Sequence, residues 1–343
     1  MTADHIRDLA RECGLELAGV AAAVPTDDRA RYHEWVAAGF AAEMRYLIDH
    51  RAALRGDPRH LLPEARSIIC TGKLYQTPWP LSTRFTDTER GWISRYAWGD
   101  DYHAVLRRAL EQLDARLREQ AGANYQSRIC VDTAPLLERS YARLAGLGWI
   151  GRNTCLINQQ QGSWFFLGAL LVSLDIGPDA PPPDRCGTCM RCVEACPTAA
   201  ILPGQGIDSA LCISYLTIEL RAPIPEERRS GIGAHVFGCD ICQDVCPWNS
   251  RAPVTGDPAF APHRFAPRLE ELASVSETEF RDMFRGSAIS RARYSGFVRN
   301  VAVAMGNSGD SRFLPHLERL AASPHAIVAE HADWALVRLR TLS

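Results

Sequence analysis

The residues with the clearest chemical intent are cysteines. "CGTCMRCVEACP" runs from Cys186 to Pro197 with the spacing C-x2-C-x2-C-x3-C-P, and a shorter echo, "CDICQDVCP", runs from Cys239 to Pro247. Eight of the chain's twelve cysteines fall between Cys186 and Cys246. In such a run three close thiolates reach three irons of one cubane, and the fourth ligates the neighbouring cluster. The second motif is one thiol short, and Cys212 supplies it. The arithmetic closes at two four-iron clusters: Cys186, Cys189, Cys192 and the distant Cys246 for the first, and Cys196, Cys212, Cys239 and Cys242 for the second. Structural zinc also favours paired C-x2-C, but it needs neither the third cysteine step nor the two C-P endings. Two adjacent clusters form a path for single electrons. The remaining cysteines, Cys13, Cys70, Cys130 and Cys155, are read as small buried hydrophobes.

A second candidate is Asp132 in "CVDTAPLLERSYARLAGLGWIGRNTCLI", at the end of a strand-like run and just before a helix. Ligands collect at that edge in open α/β sheets; the plainer role is capping the helix that follows. "GLGWIGRN" packs three glycines around Trp149. It fits no phosphate-loop spacing, and is read as backbone kept thin for a flat ligand. A third candidate is "FRDMFRGSAISRARYSGFVRN", where Arg281, Arg285, Arg291, Arg293 and Arg299 face one acid, Asp282, in 21 residues. A basic, aromatic-bearing stretch suits a nucleic-acid backbone.

These residues need positioning. "DYHAVLRRALEQLDARLREQAG" has helical spacing, with Asp100 as N-cap and Gly122 as stop. It lies between strand-like runs over 67–75 and 125–132. A helix over 135–146 carries Pro135 in its first turn, and "TCLINQ" with "SWFFLGALLVSL" reads as a hairpin. The expected architecture is a multidomain α+β chain. An α/β domain spans 1–176, a two-cluster, ferredoxin-like domain 177–250 after a proline-rich linker, and a helical part 251–343. In the helical part, "VRNVAVAMGNSGD" and "VAEHADWALVRL" share small residues about 30 positions apart, as in HEAT-type repeats. The chain has 343 residues and a formal net charge of −2, so affinity for nucleic acid must come from a local basic face. The start shows no export signal, and "WFFLGALLVSL" is too short to span a bilayer. A cytoplasmic protein, with no membrane partner, is expected.

Taken together, "SRYAWGDDYHAVLRRAL", "VDTAPLLERSYARLAGLGWIGRNTCLI", "CGTCMRCVEACPTAAI", "CISYLTIELRAPIP", "FGCDICQDVCPWN" and "RNVAVAMGN" resemble the epoxyqueuosine reductase family over nearly the whole chain. The resemblance implies cobalamin in the N-terminal domain, two [4Fe–4S] clusters that feed it, and tRNA held by the C-terminal helices. It implies reductive loss of the epoxide oxygen of epoxyqueuosine at the wobble position. Asp132 falls at the family's proton-donor position; burial is expected to raise its pKa. Arg55, Tyr96, Trp98, Asn153, Ser163, Ser214 and Gln243 would lie near the corrin. No D-x-H-x-x-G motif is present, so a base-off cofactor without a histidine ligand is expected. The resemblance also implies a flavodoxin- or ferredoxin-type electron donor and a monomer.

Two other readings are open at this level. A reductive dehalogenase-like enzyme would share the cobalamin domain and clusters, but leaves the arginine-rich helices without a purpose. A ferredoxin-type electron carrier needs only 186–246, which leaves about 280 residues unexplained.

Overall fold

The computed structural model describes residues 1–204 and 206–342. Its N-terminal part is built on one four-stranded sheet: β1 (Leu17–Ala22), β2 (Ser67–Leu74), β3 (Ser127–Cys130) and β4 (Phe165–Val172), in the order β1-β2-β4-β3. Every pair is antiparallel. The expected α/β edge is therefore replaced by an α+β sheet, and Asp132 is placed by a loop rather than by a parallel crossover. "FFLGALLV" takes a central position because its side chains are apolar in both directions, and only a strand with neighbours and cover on both faces buries both. The expected hairpin does not form: Leu156–Ile157 pairs with Trp149–Ile150 instead.

Helix α1 (Ala3–Glu12) and helix α2 (Tyr102–Ala121) cover one face of the sheet. The α2 stripe Leu106, Ala109, Leu110, Leu113 and Leu117 is buried, as its spacing predicts. Its N-cap is Asp101, whose carboxylate accepts the His103 N–H at 2.9 Å. Asp100 lies one residue too early and faces His263 instead. Gly122 ends the helix at φ +83°. Helix α3 (Glu138–Leu144) covers the other face with Tyr141 and Ala142. It starts three residues beyond Pro135 and has no side-chain cap, so Asp132 does not cap it.

The three glycines around Trp149 also have a packing reason. A Cβ on Gly148 would lie 2.2 Å from the Ile157 carbonyl oxygen, and one on Gly151 2.5 Å from Ile157 Cδ1. At these two positions the thin backbone admits the chain's own hairpin.

The C-terminal part is helical, with α4 (Arg293–Ser308), α5 (Leu314–Ala321) and α6 (Ala326–Leu342) packed together. The paired small residues meet here: a Cβ on Gly306 would lie 2.7 Å from that of Ala335. This bundle does not have a core of its own. Trp92, Trp98, Val236 and Phe237 are buried in one cluster with Phe280, Phe297 and Met305, and Trp92–Ile93 pairs in parallel with His235–Phe237. Among the described residues no helix is long and apolar enough to cross a membrane.

One member of the arginine stretch is part of this joint. Arg299 is 1% exposed. Its guanidinium donates to the carbonyls of Leu216, Leu220 and Ala222 at 2.7, 3.2 and 2.8 Å. It cannot reach a phosphate, which corrects the sequence expectation. Arg299→Ala leaves three buried carbonyls without a donor and should cost roughly 2 to 4 kcal/mol in urea unfolding. Arg281→Ala, on the surface, should change stability by less than about 0.5 kcal/mol.

Candidate active site and cluster-binding region

The loop between β3 and α3 presents Asp132. Its backbone is left-handed, φ +50°, a conformation non-glycine residues rarely hold. The Asp132 amide N–H donates to Glu138 Oε1 at 2.8 Å. Its side chain remains 57% exposed, so an incoming molecule can reach it. Asp132 Oδ2 lies 3.2 Å from His103 Nε2, and His103 Nδ1 lies 2.7 Å from Asp101 Oδ1. The imidazole stacks on Tyr102, which in turn stacks on Phe166.

This places one imidazole between two carboxylates. Hydrogen bonds to Asp101 and then Asp132 push His103 up to about 9, so it is an imidazolium at neutral pH. For Asp132, burial pushes the carboxyl up. The hydrogen bond and charge of His103, with Tyr102 and Arg291, outweigh burial and hold it below the ordinary carboxylate value. The expected raised pKa of Asp132 is thus corrected: the proton of the pair rests on His103. Sequence reading missed His103 because it looked like part of a helix start. The clue was its place two residues after the cap, on the turn that faces the strand ends.

The cysteines gather in the two expected sets. Cys186, Cys189, Cys192 and Cys246 line one small cavity with Trp248 and Asn153. Cys212 and Cys239 lie within electrostatic reach of Cys196 and of each other, and Cys242 within reach of both, which closes the second set. The short helical turns Arg191–Glu194 and Ile241–Asp244 pack against each other, which brings Cys246 back to the first motif. Among the described residues, no three His, Cys, Asp or Glu side chains converge as ligands of a single ion would. Cys155, expected as a buried filler, is half-buried and lies beside Cys242.

The comparisons with known proteins agree with this geometry. The family described as "Epoxyqueuosine reductase QueG, DUF1730" matches residues 55–133, and "4Fe-4S double cluster binding domain" matches 185–249. The epoxyqueuosine reductase of Xanthomonas campestris pv. campestris is 39% identical over 341 residues, 98% of this chain and 96% of its own. The chain belongs to the epoxyqueuosine reductase family. The relative from Pseudomonas aeruginosa is 40% identical over 98% of this chain and 94% of its own. The crystal structure of an epoxyqueuosine reductase with a tRNA-Tyr epoxyqueuosine-modified stem loop aligns at TM-score 0.90 and 30% identity, covering 98% of this chain and 89% of that one.

For a reductase of this family, the residues expected at the corrin divide into four groups. Trp98 is 3% exposed, donates its indole N–H to the Ile93 carbonyl and packs among Trp92 and Phe265; it is a core residue. Asn153, Ser163 and Gln243 join the N-terminal part to the cluster segment. Asn153 Nδ2 donates to the Cys242 carbonyl, and Ser163 Oγ donates to Gln243 Oε1. Arg55 and Tyr96 lie on the Asp132 side. Tyr96 packs edge-on against Tyr102. Arg55 is buried with Nε and Nη1 unpartnered. Ser214 is half-buried beside Cys212.

The arginines divide as well. Arg281, Arg285 and Arg293 are exposed. Arg291 makes two 3.0 Å contacts with Glu219, lies over the Tyr46 ring, and acts on Asp132. It belongs to the rim of the Asp132 site.

The His103 pair has a pH signature. Its raised pKa stabilises the fold fully below about pH 6.5, and that stabilisation is lost as pH rises through about 9. The melting-temperature gap between wild type and His103→Gln should therefore be widest at pH 5.5–6.5 and shrink steadily toward pH 9.

Proposed function

We propose that this chain reduces epoxyqueuosine to queuosine at the wobble position of tRNA. The epoxide takes up two electrons and two protons, its oxygen leaves as water, and a cyclopentene remains. The observation that carries this reading is the likeness over 98% of the chain to a reductase solved with an epoxyqueuosine-modified stem loop.

Cys186, Cys189, Cys192 and Cys246 would hold one [4Fe–4S] cluster, and Cys196, Cys212, Cys239 and Cys242 the other. Arg55 supports a bound cobalamin, since its two unpartnered buried donors call for an acceptor from outside the chain. A cleft of about 790 Å³ is lined by Tyr32, Trp35, Ser140, Arg143 and Thr154, with Tyr32 in the field of Arg55. When bound, cobalamin supplies a strongly reducing cobalt centre, in reach of cubane potentials that extend to about −700 mV. Asp132 orients the epoxide oxygen and passes it the proton held with His103. Tyr102 and His103 fix the carboxylate from one side, and Glu138 fixes its backbone from the other. The exposed Arg281, Arg285 and Arg293 meet phosphates of the anticodon stem loop, and Arg291 lines the entrance. Helices α4–α6 act as a HEAT-like support. The protein works as a cytoplasmic monomer, reduced by a flavodoxin- or ferredoxin-type donor.

The direct test is anaerobic conversion of epoxyqueuosine-containing tRNA by reconstituted protein with cobalamin and a strong reductant. No conversion by protein with full iron content would sink the reading. Asp132→Asn keeps the size of the side chain but cannot supply a proton, so single-turnover conversion should fall by roughly 10²- to 10⁴-fold with cofactors retained. Wild-type conversion would mean that water delivers the proton. Cys246→Ser should damage the cluster of Cys186, Cys189 and Cys192, although Cys242 is its nearest neighbour in sequence; EPR and iron counts read the outcome, and damage confined to the other cluster refutes the partition.

A further inference from the structure

Two buried donors beside the first cysteine set lack an acceptor among the described residues. Arg152 lies in the turn after Trp149–Ile150 and lines the cavity of Cys186, Cys189, Cys192 and Cys246. Its Nη2 donates at 2.7 Å to the carbonyl of Gly187, inside the loop between the first two cysteines. The guanidinium is thus held against that loop, yet its Nε is buried with no partner. The second donor is Trp149 Nε1, also buried and unpartnered. Its indole is 2% exposed, packs in one cluster with Ile157 and Cys246, and meets Trp248 edge-on. Buried donors are almost always satisfied in a working protein. Two orphans at one cavity call for an acceptor from outside the chain, and four cysteine sulfurs surround that cavity. The second cysteine set has the opposite neighbour. Asp240, 1% exposed, directly follows Cys239 and sets a carboxylate beside it.

We propose that Arg152 sets the potential of the first [4Fe–4S] cluster: its Nε–H donates to a sulfur of that cluster, Trp149 supplies a second N–H, and the first cluster becomes the more easily reduced of the two. The proposal rests on the cluster assignment above. Reduction by one electron adds one negative charge to a centre already held by four thiolates. A guanidinium beside it and N–H donors on its sulfurs favour the reduced form, because charge-assisted hydrogen bonds strengthen as the acceptor gains charge. Hydrogen bonds to sulfur and the local charge are among the levers that set a cubane's potential. A buried carboxylate acts in the other direction, and Asp240 places one at the second set. One electron from the external donor therefore settles first on the cluster of Cys186, Cys189, Cys192 and Cys246. The Nη2 bond to Gly187 gives the same side chain a structural duty, which anchors the loop.

Two substitutions separate anchoring from tuning. Arg152→Gln keeps a donor for the Gly187 carbonyl and loses the charge. Arg152→Lys keeps the charge and loses the Nε donor. Wild type and both variants, reconstituted with iron and sulfide, would be counted for iron and then titrated anaerobically with EPR detection. Wild type should show two potentials. Arg152→Gln should keep the iron of both clusters and lower the higher potential by about 59 mV or more, a tenfold change in a one-electron reduction constant. The lower potential should move less, and Arg152→Lys should fall between wild type and Arg152→Gln. Hyperfine spectra of reduced protein grown on arginine labelled with heavy nitrogen should show that nitrogen coupled to a cluster in wild type and in neither variant. Unchanged potentials in a fully loaded Arg152→Gln, or a larger shift of the lower one, would overturn the proposal and leave Arg152 as a loop anchor. Arginine coupling that persists in Arg152→Gln would do the same. So would its absence from wild type, which decides the matter even where a variant fails to assemble its clusters. Iron for only one cluster in wild type would bring down the cluster assignment itself, and the proposal with it.

Discussion

Asp240 lies between Cys239 and Cys242 in the second cysteine motif, and it is 1% exposed. Its carboxylate accepts three hydrogen bonds from a single distant turn: Trp92 Nε1 at 3.1 Å, Ser94 Oγ at 2.5 Å and the Arg95 amide at 2.8 Å. A buried carboxylate is tolerable only when donors replace the lost water. Meeting that demand docks the cluster segment on the N-terminal part in one register. The parallel pairing of Trp92–Ile93 with His235–Phe237 continues the same joint, and Asn249 closes the other end by accepting from the Ser163 amide and donating to its hydroxyl. With the segment pinned twice, Cys246 returns to the cavity of the first motif.

The acid–base site is a second consequence of placement. Asp101, His103, Asp132 and Glu138 come from a helix cap, a first helical turn, a strand exit and the next helix start. None is unusual alone. Together they set the electrostatics of the site: His103 keeps its proton because two carboxylates face it, and the Glu138 carboxyl, which accepts the Asp132 N–H, is pushed upward by desolvation and by Asp132. Asp132 stands between them as the ionised member. Its left-handed backbone, held by Glu138, is the local strain that aims it at the open side of the site.

The arginine stretch shows why composition misleads about a surface. "RARYSGFVRN" reads as a basic ribbon, yet its arginines serve three environments. Arg293 faces solvent, Arg291 is paired with Glu219 above Tyr46, and Arg299 is enclosed in backbone carbonyls. Arg291 precedes α4, Arg293 opens it and Arg299 lies within it, and their placement against the 213–237 segment, which tertiary contacts set, separates them. Trp98 followed the same rule: of the two aromatics expected at a ligand, it was claimed by the shared core.

Spacing along the chain was enough to group the cysteines, because ligation imposes short, fixed intervals that survive any surrounding fold. The α2 stripe with its glycine stop, the buried run of β4 and the helical C-terminal part were legible for the similar reason that periodicity and local backbone preference act within a few residues. The strand order, the pairing of Leu156–Ile157 with Trp149–Ile150, the neighbours of Asp132, and the burial of Arg299 were decided only in the folded molecule. Each depends on contacts between residues far apart in sequence, and on a desolvation cost that does not exist until the chain has closed around the group.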